Sequence, residues 1–297
     1  MSKLDKQTEA MLLNNATASD IYDRLMMLAI SIFTWEGLDD VAGFGASRFL
    51  EQSLFRYGKA VFIKDDEIGY KVMNATPSDK LNSYYLPIKV NAYSIDYNKT
   101  FDLDDCVYIM NNELQKPTSS SIALFSKRLY ETERTIDVNL HAQRTPILIE
   151  GNKNTMLTLK NAYMQFDGNV PVIYGNKEFN LDSKLNVLNT NAPFVIDKLE
   201  NYKHELQNDC MTFLGINNAN TQKRERLITD EVNSNNDLIN YYLNCFYKTR
   251  KQACDLINKK YDLNIKLVLN KEMIELLNIT KNDIIDVEVQ DNEGGEE

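Results

Sequence analysis

Histidine is nearly absent: the 297-residue chain contains two, His141 and His204. A nucleophile, its base and an orienting group must converge in space, and so thin a supply nominates no such set. His204 and Cys210 lie six positions apart, which is not a same-face spacing for metal ligands, and no second pair accompanies them. No catalytic residue, metal or cofactor is therefore expected. Cysteine is sparse as well. Cys106, Cys210, Cys245 and Cys254 form no Cys-x-x-Cys pair and no secretory signal opens the sequence, so they read as reduced thiols in a cytosolic setting. Long apolar runs are missing too. The longest, Leu25 to Trp35, is eleven residues closed by Arg24 and Glu36, against the about 20 needed to span a bilayer. No membrane partner is expected. The run Gly43-Phe44-Gly45-Ala46-Ser47 looks like a phosphate loop but lacks the Lys-Ser/Thr ending and a strand before it, so it is not read as a nucleotide site.

What is present is ordinary for a folded chain of about two domains, with 43% hydrophobic and 26% charged residues. Basic side chains number 33 and acidic ones 43, a net charge of -10. That balance argues against indiscriminate coating of nucleic acid, while leaving room for a local basic element. The carboxylate pairs Asp65-Asp66 and Asp104-Asp105 point apart along the chain and read as solvated turns.

Residues 1–18 are polar and weakly patterned, the expected flexible N-terminal arm. Asp20 is the expected N-cap of a helix whose stripe is Ile21, Leu25, Leu28, Ile32 and Trp35, stopped by Gly37 and Gly43. Between Gly58 and Met110 short β-branched and aromatic runs predict strands at Ala60–Ile63, Tyr84–Val90, Tyr93–Tyr97 and Cys106–Met110. Pro77-Ser78-Asp79 and Asn98-Lys99 are the expected turns, making a small sheet or barrel. After Pro117, Thr118 to Ser121 supply caps for a second helix with Ile122, Phe125, Leu129, Ile136 and Leu140 on one face, ending before Pro146. A compact α/β stretch follows, with strands at Ile147–Glu150 and Pro171–Tyr174 and a short helix at Leu157–Phe166. Pro193 opens a third long helix carrying Val195, Leu199, Tyr202, Leu206, Cys210 and Phe213, and Gly215 ends it. Leu238–Tyr261 is a fourth helix, Asn264–Leu269 a strand and Lys271–Leu277 a short helix. The ending is an acidic tail.

Between the third and fourth helices lies an Asn-rich polar stretch, 217–236, of about twenty residues, longer than the roughly 12–15 beyond which structureless connections are usually functional or disordered. Its centre, Lys223-Arg224-Glu225-Arg226, is the best candidate for contact with phosphates, because flexible cations meet a nucleic-acid backbone without reading its sequence. Lys198 and Lys203 on the preceding helix extend the basic track.

Met211-Thr212-Phe213-Leu214-Gly215-Ile216-Asn217-Asn218-Ala219-Asn220, with Lys223 to Arg226 and Thr229-Asp230-Glu231-Val232 after it, resembles the upper collar, or head-tail connector (portal), proteins of small podoviruses with protein-primed linear genomes. Phe33 to Leu38, Phe49 to Glu51, Ala142 to Ile149, Gly168 to Ile173 and Ala192 to Leu199 resemble the same family in the same order, and the likeness runs from about Ile21 to Leu267. The resemblance implies an α+β portal fold. Its parts would be a flexible arm 1–18, a wing 19–118 with a helix and a small SH3-like β-barrel, and a stem helix 119–144. An α/β clip 145–191, a second stem helix 192–216 and a channel loop 217–236 would follow, then a wing or crown helix with a C-terminal strand, 237–285, and the acidic tail 286–297. It further implies a non-enzymatic, dodecameric ring at one capsid vertex of the virion, assembled in the host cytoplasm. The ring would pass double-stranded DNA without sequence specificity and dock major capsid or scaffold proteins, a packaging ATPase and the lower collar or tail proteins. Channel-facing cations of the family fall on Lys198, Lys223 and Arg224, while a fourth position is Asn189. Relatives carry a basic N-terminal arm linked to a packaging RNA; here Ser2-Lys3-Leu4-Asp5-Lys6 mixes in acid, which leaves a packaging RNA an open partner. The rival reading is a monomeric phage DNA-binding protein that uses the basic loop 217–236.

Overall fold

A computed structural model describes residues 6–78, 80–143, 147–149, 185–187, 193–216 and 229–270. The chain forms two units, one of Met1–Tyr130 with His204–Glu297, the other of Glu131–Lys203.

The first unit opens with α1 (Lys6–Ile30), which starts well before Asp20. Residues 6–18 of the expected arm are thus helical, as the helix formers Gln7, Glu9, Ala10, Met11 and Leu12 favour. Asp20 is interior to the helix and pairs with Arg24 at 2.8 Å instead of capping. The apolar run does not stay helical to Trp35. At Ser31 the amide and hydroxyl both turn back to the Leu28 carbonyl, and Phe33–Glu36 becomes strand β1 with alternating burial. Its partner is β9 (Lys266–Leu269), antiparallel, with Phe33 opposite Leu269 and Trp35 opposite Leu267. A stripe read along the chain cannot show a partner more than two hundred residues away.

Helices α2 (Leu38–Ala42) and α3 (Ala46–Tyr57) follow. Next come β2 (Lys59–Asp65), β3 (Gly69–Pro77), β4 (Lys89–Tyr93), β5 (Asn98–Asp102) and β6 (Val107–Met110). These five strands make one antiparallel sheet in the order β5-β4-β3-β2-β6. No closed barrel is seen among the described residues: β5 and β6 stand at its two edges. Sequence patterning also missed β3 and misplaced a turn. Tyr93–Tyr97, expected as a strand, is where β4 turns back, with the Ser94 amide bonded to the Tyr97 carbonyl, and Asn98-Lys99, expected as a turn, starts β5. Tyr84–Ile88 likewise belongs to the connection between β3 and β4.

Strand β2, between β3 and β6, is buried on both faces. Ala60 and Phe62 enter a core with Trp35, Leu38, Leu50, Leu54 and Ile257. Val61 and Ile63 enter another with Met73, Val90 and Phe101, as a period of two dictates. A third core joins α1, α4 (Ser119–Gln143), α5 (Ile196–Leu214) and α6 (Thr229–Tyr261) through Ile21, Leu25, Ile122, Leu129, Leu206, Cys210, Leu243 and Phe246. Each fully buried side chain of this size contributes about 1.5–3 kcal/mol of transfer free energy. The first helical segment of α6 is a further correction: Thr229–Asn236, expected as loop, is helical.

In the second unit β7 (Ile147–Ile149) pairs antiparallel with β8 (Leu185–Val187). Here Asn139 on α4 donates from Nδ2 to the Pro193 carbonyl at 2.9 Å and accepts the Val195 amide at 3.4 Å, a side-chain clamp at the start of α5. The expected helix at 157–166, strand at 171–174, helix at 271–277 and acidic tail lie outside the described residues.

Candidate functional site

Of the five cations nominated from sequence, Lys223, Arg224 and Arg226 lie outside the described residues. Lys198 and Lys203 are both on α5. Five positions separate them, roughly 140° around a helix of 3.6 residues per turn, so they do not share one face. Lys198 is exposed and has no ion-pair partner among the described residues. Lys203 differs: its side chain is 17% exposed, and Nζ sits 2.7 Å from Glu200 and 3.4 Å from Glu133. Burial works against its charge, yet these carboxylates outweigh burial and raise its pKa. Its positive charge is balanced locally and is not offered outward. With Asp197, Glu205 and Asp209 also on α5, the helix surface leans acidic, with Lys198 as its free cation among the described residues.

The end of α5, just before the basic stretch, is fixed by its own hydrogen bonds. Gly215 has φ +75°, its amide bonds to the Thr212 carbonyl, and the Ile216 amide bonds to the Met211 carbonyl at 2.8 Å. This left-handed ending satisfies the last carbonyls of α5 and needs glycine twice over, because a Cβ there would lie 2.7 Å from Leu243 on α6. Ile216 and Ile239 are buried, so the core holds α5 and α6 on either side of 217–228.

A buried polar centre that sequence reasoning missed holds α6 in place. Arg250 is 4% exposed, as is Glu51. The guanidinium donates from Nε and Nη2 to the Glu51 carboxylate at 2.8–3.2 Å. It also donates to the Asn111 and Phe246 carbonyls at 3.0 and 3.1 Å and to Asn111 Oδ1 at 3.0 Å. Glu51 accepts the Trp35 indole N–H at 2.8 Å, and the Arg250 Cζ lies 4.6 Å over the Phe33 ring. Asn111 then donates to the Lys116 carbonyl and to Thr118 Oγ1, which places the start of α4 and takes up the hydroxyl expected to cap it. The signal was available: Arg250 falls on the apolar stripe of Phe246, Ala253, Cys254 and Ile257, where a charge has to find a buried partner.

The glycine run near residue 45 is closed by the protein itself. Asp39 accepts the Ser47 amide at 2.7 Å and the Gly45 amide at 3.2 Å. Burial pushes its pKa up, but these bonds prevail and lower it. The N-terminus of α3 thus has an internal anion where a phosphate would need to sit. Asp65, expected in a solvated turn, is buried and accepts from Lys99 at 2.6 Å, the Tyr97 hydroxyl at 2.9 Å and the Glu67 amide at 3.0 Å. All four cysteines are free thiols, and burial pushes Cys210 up to about 12 and Cys106 to about 11.

Residues 6–274 match the model of the family described as Phage Connector (GP10). The chain belongs to this phage connector family. Among solved structures, the connector is similar to a chain of the portal and tail of native bacteriophage P68. The two are 15% identical, with 97% of this chain and 98% of that one covered and a TM-score of 0.51, a likeness of fold. It is also similar to an HK97 family phage portal protein from Corynebacterium diphtheriae, at 12% identity, 89% and 96% coverage and a TM-score of 0.45. A chain of the virion of a native gene transfer agent matches at 10%, 94% and 86%, with a TM-score of 0.47. The connector's mixed helix-and-sheet fold is thus that of phage portals, and the family is a structural one. No helix among the described residues is long and apolar enough to cross a membrane.

Proposed function

We propose that the connector closes into a ring at one capsid vertex, passes double-stranded DNA without reading its sequence, and docks the capsid, a packaging ATPase and the tail. The observation that carries this reading is the family match across 6–274. Uncovered apolar surface supports the ring: Leu124, Val138 and Leu140 on α4 and Tyr202 on α5 are exposed in the single chain, and long one-sided helices bury such surface between subunits. Within this reading 119–144 and 192–216 are the stem, 145–191 the clip, and 19–118 with 237–285 the wing. The channel segment is 217–236, its last part helical. The ring performs no catalysis; the separate ATPase supplies the motor.

Lys223, Arg224 and Arg226, with Lys198, form the cationic lining; Lys203 serves the stem through Glu133 and Glu200. An acidic α5 surface with few free cations suits a wall along which a polyanion slides. Electron microscopy and native mass spectrometry of the purified chain test the ring, and a species that stays monomeric at every concentration overturns it. Replacing Lys223, Arg224 and Arg226 by alanine leaves the ring intact and lets packaged DNA slip. In solution the replacement lowers the salt slope of DNA binding by about 0.9 for each phosphate that is no longer neutralised. Rings that fail to form after these changes refute the channel assignment.

A further inference from the structure

The connection between β3 and β4 is a hydrogen-bonded projection. Ser78 and Lys89, then Lys80 and Ile88, continue the ladder by backbone hydrogen bonds, and Leu81 bridges Pro87. Asn82 organises the tip: its amide donates to the Leu86 carbonyl, its Oδ1 accepts the Tyr84 and Leu86 amides at 2.9 and 3.0 Å, and its carbonyl accepts the Tyr85 amide. Tyr85 is held at φ +60°, in the left-handed region that a non-glycine residue seldom adopts. At this tip Tyr84 and Tyr85 stand 83% and 80% exposed. Two exposed aromatic rings, each with a hydroxyl at its end, have the character of interface anchors.

The other end of the same ladder carries a hollow. The last β3–β4 pair is Asn74 opposite Tyr93, and beside it Phe49, Asn74, Tyr93, Ser94, Ile95 and Asp96 line an open hollow of about 520 Å³. Its size lies in the roughly 300–1,000 Å³ range of hollows that accept an aromatic-sized group. Ile95 at its rim is 98% exposed. The ladder runs from the Asn74–Tyr93 pair beside the hollow through Pro77–Val90 and on past Ser78–Lys89 and Lys80–Ile88, which carries the tip away from the hollow, so one chain does not fill its own site.

Resting on the ring reading above, we propose that the Tyr84–Tyr85 tip of one connector subunit seats in the Phe49–Ile95 hollow of a second copy. A knob and a hollow at opposite ends of the β3–β4 ladder make a head-to-tail contact, the type that closes into rings, whereas a two-fold dimer would bring like to like. Complementarity agrees with this. The tip brings two phenolic donors and the exposed Lys80, and the hollow offers the Asp96 carboxylate and the Ser94 hydroxyl at its exposed rim.

The test uses the full chain in native mass spectrometry with electron microscopy. Three samples are compared: unaltered chain, Tyr84→Ser with Tyr85→Ser, and Ile95→Arg. Each altered site is exposed, so circular dichroism melts stay where they are. Each variant alone needs a concentration higher by roughly tenfold or more to assemble, the loss of a buried aromatic anchor. An equimolar mixture of the two variants stops at dimers, since it restores one productive contact per pair. Variants that form rings like the unaltered chain overturn the knob while the ring stands. Normal rings that fail to join a capsid overturn it in favour of a capsid contact. Rings from the mixture overturn its polarity. An unaltered chain that never self-associates removes both the knob and the ring.

Discussion

Replacing Glu51 by alanine tests how the first unit is held together. The carboxylate is buried and takes three hydrogen bonds from Arg250 and one from the Trp35 indole. Its removal leaves a guanidinium 4% exposed with carbonyl partners only, and leaves the indole N–H of a residue 2% exposed without its acceptor. Breaking one side of a buried pair costs about 3–5 kcal/mol, and the orphaned indole donor adds about 1–3 kcal/mol before relaxation. We expect a loss of about 4 kcal/mol, a large part of the about 5–15 kcal/mol that native proteins have in total. Arg250→Met strands the carboxylate and costs a similar amount. Glu51→Leu with Arg250→Met together cost far less than the two losses summed, because neither charge is then buried alone. Trp35 is the sole tryptophan, so its fluorescence during denaturant unfolding reads this unit directly. Its emission also shifts to the red in Glu51→Ala before unfolding begins. A Glu51→Ala loss below about 1 kcal/mol, or strict additivity in the double variant, refutes the argument.

Three further outcomes follow from the same structure. The Lys99 ammonium, the Glu67 amide and the Tyr97 hydroxyl hold the Asp65 carboxyl well below the usual carboxylate range. A carboxylate depressed in the folded state stabilises above its unfolded pKa of about 4 and loses that contribution as pH falls toward the folded value. Asp65→Asn therefore lowers the melting temperature at neutral pH, and its gap from the unaltered chain narrows below about pH 4; a gap independent of pH rejects the ion pair. In alkylation followed by mass spectrometry at mildly alkaline pH, half-buried Cys245 reacts first. Cys210, whose thiol is pushed up to about 12 by burial, reacts only after unfolding; equal rates contradict the packing of α5. Gly215→Ala forces a Cβ to within 2.7 Å of Leu243 at φ +75°, and loses roughly 1–3 kcal/mol in denaturant melts. A neutral result shows that the end of α5 is free to shift.

Residues with strong local patterns were legible. The stripe Ile122, Phe125, Leu129 announced α4, the run Leu199, Leu206, Cys210 with Gly215 announced α5 and its end, and β2 was visible in Ala60–Ile63. The strands went wrong where pairing decided. Phe33–Glu36 continues a helical stripe in sequence and becomes a strand because β9 is there to pair with. Tyr93–Tyr97 has the composition of a strand, yet the register of β4 on β5 puts the turn inside it. At the candidate site, sequence named Lys198 and Lys203 alike, and only packing separated them, since Glu133 reaches Lys203 from another helix.

The sequence by itself determined the long helices, the mixed class, the scarcity of histidine, and, through collinear residues along most of its length, the connector family. These are local or additive properties: helical periodicity, glycine at a left-handed turn, and counts of residue types. Tertiary structure decided which charges are spent and which are free. It buried Arg250 against Glu51, closed the glycine run with Asp39, neutralised Lys203, and set two tyrosines and a hollow at opposite ends of the β3–β4 ladder. A charge acquires its energy from its surroundings, and those come from residues far apart in the chain.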